Sequence, residues 1–277
     1  IYAFRHQPRA FYEWLRPLLG IIRAATPNPA HLALAQLEEA GRLRALITQN
    51  IDLLHERAGS RVIYELHGHL RDLVCPACHD LLPAADALDA FMNDDVIPIC
   101  RRCHHVMKPN VVLFGELLPR TAMRAAQAAA RSADLMLIAG TSLEVAPAGD
   151  LPQLAQAHGA RLILINRGPT RLDAAADVVI RGDVAEVLPQ LAAPWVKGYC
   201  VRRVRLGASE RQGSCCPVAS LMGGAVCCGS LFVTGRKYAE GTCHHHRLRP
   251  GRPVGGYLRC PSHIEPPRAD RHTDRWP

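Results

Sequence analysis

Four cysteines carry the most specific chemical signal in this chain. They stand as Cys75-x-x-Cys78 and, twenty-one intervening residues later, Cys100-x-x-Cys103. Each pair offers two thiolates from one tight turn, and four thiolates satisfy a tetrahedral zinc ion. Disulfides are the competing reading, but the first 197 residues hold no other cysteine and no secretory feature, which favours zinc. With four sulfur ligands such an ion has no open position, so its role is structural. His79, His104 and His105 lie close by and read as solvent-facing neighbours. A second group gathers in ITQNIDLLHERAGSRVIYELHG, residues 47 to 68. Asn50 and Asp52 offer an amide and a carboxylate suited to hydroxyls and amides of a small polar ligand. His67 follows the apolar run 62–66 and precedes Gly68, which leaves room for a ligand. Taken alone, each is equally a polar strand end or a packed histidine. A third group is Gly140, Thr141 and Ser142, small residues that let backbone amides and hydroxyls approach a phosphate or ribose closely.

These groups need elements to hold them. The apolar run Leu43–Ile47 reads as a buried parallel strand that delivers polar residues at its carboxyl end, where open α/β sheets place their ligands. The spacing predicts further strands over 62–66, 111–114, 135–139, 161–165 and 178–180, and helices over 30–40, 119–132, 148–158 and from 182 onward. Residues 1–25 carry an apolar face at helical spacing, broken at Pro17. Strands and helices thus alternate from 43 to 192, the pattern of an α/β, doubly wound parallel Rossmann-like sheet with a zinc-bearing insertion. The domain reading is a helical module over 1–42, a nucleotide-type domain over 43–71 and 109–197, a zinc insertion over 72–108 and a tail over 198–277.

The formal charge of +8 suggests an acidic partner until its location is considered. From Gly198 onward there are thirteen Lys and Arg against five Asp and Glu, while the first 197 residues hold twenty of each. Seven of the eleven cysteines also lie in that tail. Cys200, Cys215, Cys216, Cys227, Cys228, Cys243 and His244–His246 are possible ligands there, for a second metal or a basic nucleic-acid module. No clean ligand spacing appears, however, and the tail reads instead as disordered or out of frame. No run of about 18 apolar residues is present, which argues against a membrane helix. The first residue is Ile1 rather than Met, and the chain reads as a fragment at its amino end.

TQNID, LH, RAG and ELHG, in this order and spacing, together with KPNVVLFGE at 108–116 and GTSLEVAPAG at 140–149, resemble the sirtuin family of NAD-dependent protein deacylases. The resemblance covers roughly residues 8 to 192. It implies that His67 is the general base acting on a ribose hydroxyl, and that Gln49, Asn50, Ile51 and Asp52 surround nicotinamide and its ribose. It further places Gly140, Thr141 and Ser142 on NAD, Asn166 with Arg167 at the adenosine ribose, and Val184 beside the adenine. Val112 and Phe114 on one side, and Leu143 and Val145 on the other, are implied to contact an acyl-lysine peptide. The implied cofactors are NAD and a structural zinc ion, the implied partner is an acyl-lysine protein, and neither membrane nor nucleic acid is implied. Cytoplasmic location follows as an expectation. The family's GAGxS loop and GIPDFR segment are absent from the sequence, so the resemblance also implies weak NAD binding and little or no turnover. Members that take succinyl or malonyl groups carry Tyr-x-x-Arg in the helical module; here Tyr12 is followed at that spacing by Leu15, with Arg16 one place beyond, which points to an uncharged acyl group. ADP-ribosyl transfer to protein and non-catalytic docking of acyl-lysine are the alternatives.

Overall fold

A computed structural model describes residues 1–195 and the strand Leu231–Gly235, all within one compact unit, Ile1–Lys237. The expectations for the tail's remaining residues, its ligand candidates included, lie outside the described residues.

The chain opens with helices α1 (Tyr2–His6), α2 (Pro8–Ala24) and α3 (Pro29–Glu39). The break predicted at Pro17 is not there. Helix α2 runs through Pro17 and the interruption falls at Gln7, just before Pro8 at the first turn, where a missing N–H costs nothing. Helix α3 starts where Asn28 caps it, its side-chain oxygen accepting from the N–H groups of Ala30 and His31 at 2.9 and 3.1 Å. Strand β1 (Ala45–Thr48) follows, then the short α4 (Leu54–Arg57), β2 (Ile63–Glu65), β3 (Gly68–Val74), β4 (Leu81–Pro83), α5 (Ala84–Asp94) and β5 (Lys108–Val111). Next come α6 (Arg120–Arg131), β6 (Leu135–Ala139), α7 (Leu151–Ala157), β7 (Arg161–Ile165), β8 (Val178–Ile180), α8 (Val184–Ala192) and β9 (Leu231–Gly235).

The larger sheet has six strands in the order β2-β1-β9-β6-β7-β8. Pairings β1–β2, β6–β7 and β7–β8 are parallel. Side chains alternate along the strands and so divide between two faces. Ile47, Met136, Ile138, Leu162 and Leu164 pack with Ala126 and Ala130 of α6 and with Leu151 and Ala155 of α7. Leu46, Leu137, Ala139 and Ile165 pack on the other side with Ala30, Ala33 and Leu34 of α3 and Val184 and Leu188 of α8. Helices on both faces are what a doubly wound sheet requires. Helix α3 therefore belongs to the sheet, although the sequence reading grouped it with the helical module.

Strand β9 was not expected. It lies antiparallel between β1 and β6, Val233 opposite both Leu46 and Leu137, in an otherwise parallel sheet. At the usual strand spacing it holds β1 and β6 about 10 Å apart.

The smaller sheet, β4-β3-β5, carries the four cysteines and packs against α1, α2 and α5. Phe4, Tyr12, Leu15 and Leu19 meet Leu73, Cys75, Phe91, Cys100 and Met107 in one core. The strand predicted over 111–114 is displaced upstream. It is Lys108–Val111 that pairs with β3, leaving 112–116 as the loop that follows.

Candidate functional site

Every residue of the expected cofactor group follows the carboxyl end of a strand in the larger sheet. Gln49, Asn50, Ile51 and Asp52 follow β1, His67 follows β2, and Gly140, Thr141 and Ser142 follow β6. Asn166 and Arg167 follow β7, and Val184 opens α8 after β8. Each turn has a local cause. The Asn50 N–H donates to the Thr48 hydroxyl at 3.0 Å, and Asp52 accepts from the Leu54 N–H at 2.9 Å, which ties the loop to the start of α4. Gly140 adopts φ +61, and its N–H donates to the Ile165 carbonyl at 3.0 Å. Buried Thr141 turns its hydroxyl to accept from the Leu143 N–H at 3.0 Å. Asn166 donates through Nδ2 to the Gly168 carbonyl at 3.0 Å. Arg167 pairs with Asp183, which caps α8 by accepting from Ala185. Val184 is buried among the residues of α3 and α8.

His67 is half-buried, with Nδ1 3.1 Å from the Gln49 carbonyl oxygen. A carbonyl only accepts, so Nδ1 carries the proton and Nε2 keeps its lone pair. Burial holds the imidazole below its ordinary pKa, partly offset by the Gln49 carbonyl. The ring is therefore neutral at pH 7 and able to take a proton at Nε2. Gly68, at φ +74, does not leave room for a ligand as its position suggested. A Cβ there would overlap the Asn110 carbonyl oxygen and come within 3.0 Å of the Val111 Cα, so the space belongs to the backbone of β5. That close approach brings the next residue to the histidine: the Val112 N–H donates to the His67 carbonyl at 2.8 Å.

The four residues expected at a peptide differ in exposure. Phe114 is 94% exposed and Val145 47%, Val112 is half-buried, and Leu143 is turned into the core at 1%. The backbone of Leu143 is engaged as well, its N–H donating to Thr141 Oγ1 and its carbonyl accepting from Arg171 Nε, each at 3.0 Å.

The cysteines form two knuckles of the same build. Cys75 and Cys100 accept through their carbonyls from the N–H groups of His79 and His104, each 2.9 Å away. His79 and His104 both take positive φ, 61° and 62°, to close the turns, and with His105 they face solvent as expected. All four thiols are free, and the Sγ atoms lie within 4.8 Å of one another. Tetrahedral zinc with sulfur at about 2.3 Å requires roughly 3.8 Å between sulfurs, so the cluster fits that ion. Burial alone would raise the Cys75 thiol, but N–H groups of Cys78 and Ala77 and the neighbouring thiols outweigh it and bring it down to about 6.

Three further groups stand out in the structure. Lys108 and Glu116 form a buried ion pair at 3.0 Å, which the KPNVVLFGE segment contained without advertising. His55, in LLHERAG, stacks on His31 with ring centroids 4.5 Å apart, and its buried Nδ1 has no partner among the described residues. Arg16 lies over the Phe91 ring at 4.1 Å and donates to the Phe91 and Met92 carbonyls and to Asp95.

The family described as the Sir2 family matches residues 1–147. The NAD-dependent protein deacylase 2 of Archaeoglobus fulgidus is 44% identical over 192 residues, 69% of this chain and 75% of that protein. The NAD-dependent protein deacetylase of Sulfurisphaera tokodaii is 43% identical over 200 residues, 72% of this chain and 78% of that protein. Among solved structures, Sir2 with a p53 peptide and NAD+ superposes with a TM-score of 0.65 at 38% identity, covering 68% of this chain and 78% of that one.

Proposed function

This chain belongs to the Sir2 family, and we propose that it is an NAD-dependent protein lysine deacylase yielding nicotinamide and O-acyl-ADP-ribose. The observation that carries the reading is His67. Its Nδ1–H is held by Gln49 and its Nε2 is left basic, and it stands at the carboxyl ends of the strands beside the loop that starts at Val112. Bound NAD supplies an electrophilic ribose carbon and the hydroxyl that receives the acyl group. His67 takes the proton of a ribose hydroxyl at Nε2, a step that a neutral imidazole performs at pH 7. Asn50 and Asp52 hold the nicotinamide and its ribose, with Gln49 and Ile51 flanking them. Gly140, Thr141 and Ser142 present small side chains and backbone to ribose and phosphate. Asn166 with Arg167 meets the adenosine ribose, and Val184 the adenine. The peptide adds as a strand between the Val112–Phe114 segment and the Leu143–Val145 segment, where backbone bonds give affinity.

The acyl group taken is uncharged. Tyr12 is wholly buried and its hydroxyl donates to the Met107 carbonyl at 2.7 Å, while Arg16 is occupied by Asp95 and by two carbonyls at the end of α5. Neither is available to an acyl carboxylate. Cys75, Cys78, Cys100 and Cys103 hold a structural zinc ion that orders the smaller sheet. No helix among the described residues is long and apolar enough to cross a membrane. Four thiolate ligands are best kept in a reducing compartment, so we place the protein in the cytoplasm.

The test is competition between acetyl-lysine and succinyl-lysine peptides of the same sequence, with NAD present. The acetyl peptide is expected to bind and lose its acyl group preferentially. Preference for the succinyl peptide, or ADP-ribose attached to protein in place of O-acyl-ADP-ribose, would overturn the reading.

A further inference from the structure

Lys108 is a lysine almost wholly removed from water, its side chain 6% exposed. A buried ammonium is tolerated only when its three donors are met. Here Nζ donates to the Val111 carbonyl at 2.6 Å and to the Pro109 carbonyl at 3.2 Å, and pairs with Glu116 Oε2 at 3.0 Å. The same Glu116 oxygen accepts from the Leu113 N–H at 2.9 Å, and the Glu116 N–H donates back to the Leu113 carbonyl at 2.9 Å. The loop 112–116 is therefore closed on itself by one carboxylate, and that carboxylate is fixed to β5 by one ammonium. One further tie comes from outside the loop, the Ile1 amino group donating to the Phe114 carbonyl at 2.9 Å. Phe114 is 94% exposed, and Gly115 sits at φ +93 and contributes no side chain. At the other end of the loop, the Val112 N–H is bonded to the carbonyl of His67.

We propose that the Lys108–Glu116 pair is a positioning device that holds the 112–116 segment as a preformed edge for an extended acyl-lysine peptide and keeps that edge in register with His67. The device rests on the function proposed above only for the identity of the peptide; the order it imposes on the loop does not. A preformed edge spares the peptide the ordering of the loop on binding, so loosening the pair lowers peptide affinity.

The experiment uses the full chain and four variants: Lys108→Met, Glu116→Gln, their double variant, and Leu188→Ala as a control that weakens the core between the larger sheet and α8. Amide exchange at Leu113 is measured without peptide, and an acetyl-lysine peptide is then titrated. Leu113 is expected to exchange at least about tenfold faster in Lys108→Met and Glu116→Gln, as for a local opening, and to be far less affected in Leu188→Ala. Peptide affinity is expected to fall about tenfold in each single variant and no further in the double variant, because the two changes remove one interaction. Unchanged Leu113 exchange in Lys108→Met, or losses of affinity that multiply in the double variant, would overturn the proposal. Protection of Leu113 that the variants abolish, in a chain that binds no acetyl-lysine peptide, would support the clamp and sink the deacylase reading instead.

Discussion

Replacing Gly68 by alanine strikes the contact that ties the two sheets to the candidate base. The residue has φ +74, where an L side chain costs about 1–2 kcal/mol. The added methyl also meets backbone rather than a yielding side chain: it would overlap the Asn110 carbonyl oxygen and lie 3.0 Å from the Val111 Cα. Strand β5 must move, which weakens its pairing with β3 at Gly68–Val111 and the bond from the Val112 N–H to the His67 carbonyl. At about 0.5–1.5 kcal/mol for each of the two lost bonds, the total comes to about 2–5 kcal/mol. For a domain of this size that lowers the melting temperature by roughly 10 °C. Gly41→Ala is the control, because Gly41 has φ +69 but no described atom within 4 Å of the added methyl. It isolates backbone strain and should cost about 1–2 kcal/mol. Thermal unfolding followed by circular dichroism measures both. If Gly68→Ala melts within about 2 °C of Gly41→Ala, the close approach of β5 does not set the position of His67 and the reasoning is wrong.

The other expectations concern protons, metal, catalysis and the sheet. Burial, reinforced by His31, holds the His55 imidazole down to about 3, so the fold excludes a proton that the unfolded chain binds below pH 6.5; its contribution to stability is full above that pH and falls by about 1.4 kcal/mol per pH unit towards 3, and denaturant titrations at pH 7 and 5 should show a larger loss for the native chain than for His55→Leu, in which His31 and His67 remain. Elemental analysis should find one zinc per chain, and chelation or Cys100→Ser should unfold the α2–α5 core, read as loss of the protected Tyr12 environment by near-ultraviolet circular dichroism. Because burial lowers the His67 pKa, the acidic limb of any turnover profile should lie below pH 6.5, and a limb well above 6.5 would exclude His67 as the base. Val233→Pro removes an N–H from the middle of β9, between Leu46 and Leu137, and should lower the melting temperature markedly; an unchanged value would mean that β9 does not complete the sheet.

Some of this was legible in the sequence because single physical rules decided it. Strands β6, β7 and β8 fall where expected, since short apolar runs bounded by Gly, Asn and Asp admit few other structures. The cysteine knuckles followed from spacing alone. Where the reading failed, tertiary structure overrode a local rule. Strand β5 begins at Lys108 and Pro109, residues that argue against a strand, because Glu116 neutralises the lysine from eight positions away. Helix α2 continues through Pro17, while its neighbours Leu15 and Leu19 are fixed in the core. Gly68 was read as leaving room for a ligand, but the backbone of β5 fills that space, and the sequence does not say which backbone approaches a glycine. Leu143 was implied by the resemblance alone to contact a peptide; at φ +62 its side chain lies in the core. Strand β9 carries no pattern that distinguishes it from the tail around it.

The central claim, that His67 serves an acyl transfer to NAD, is tested most directly by mass spectrometry of a single turnover. The chain is held in excess over an acetyl-lysine peptide, with NAD in large excess so that weak binding still registers. The account predicts deacetylated peptide together with an equal amount of O-acetyl-ADP-ribose, both requiring NAD and both lost in His67→Ala. Deacetylation without NAD, equal yields from His67→Ala, or no product from a native chain shown to be saturated with NAD would contradict it.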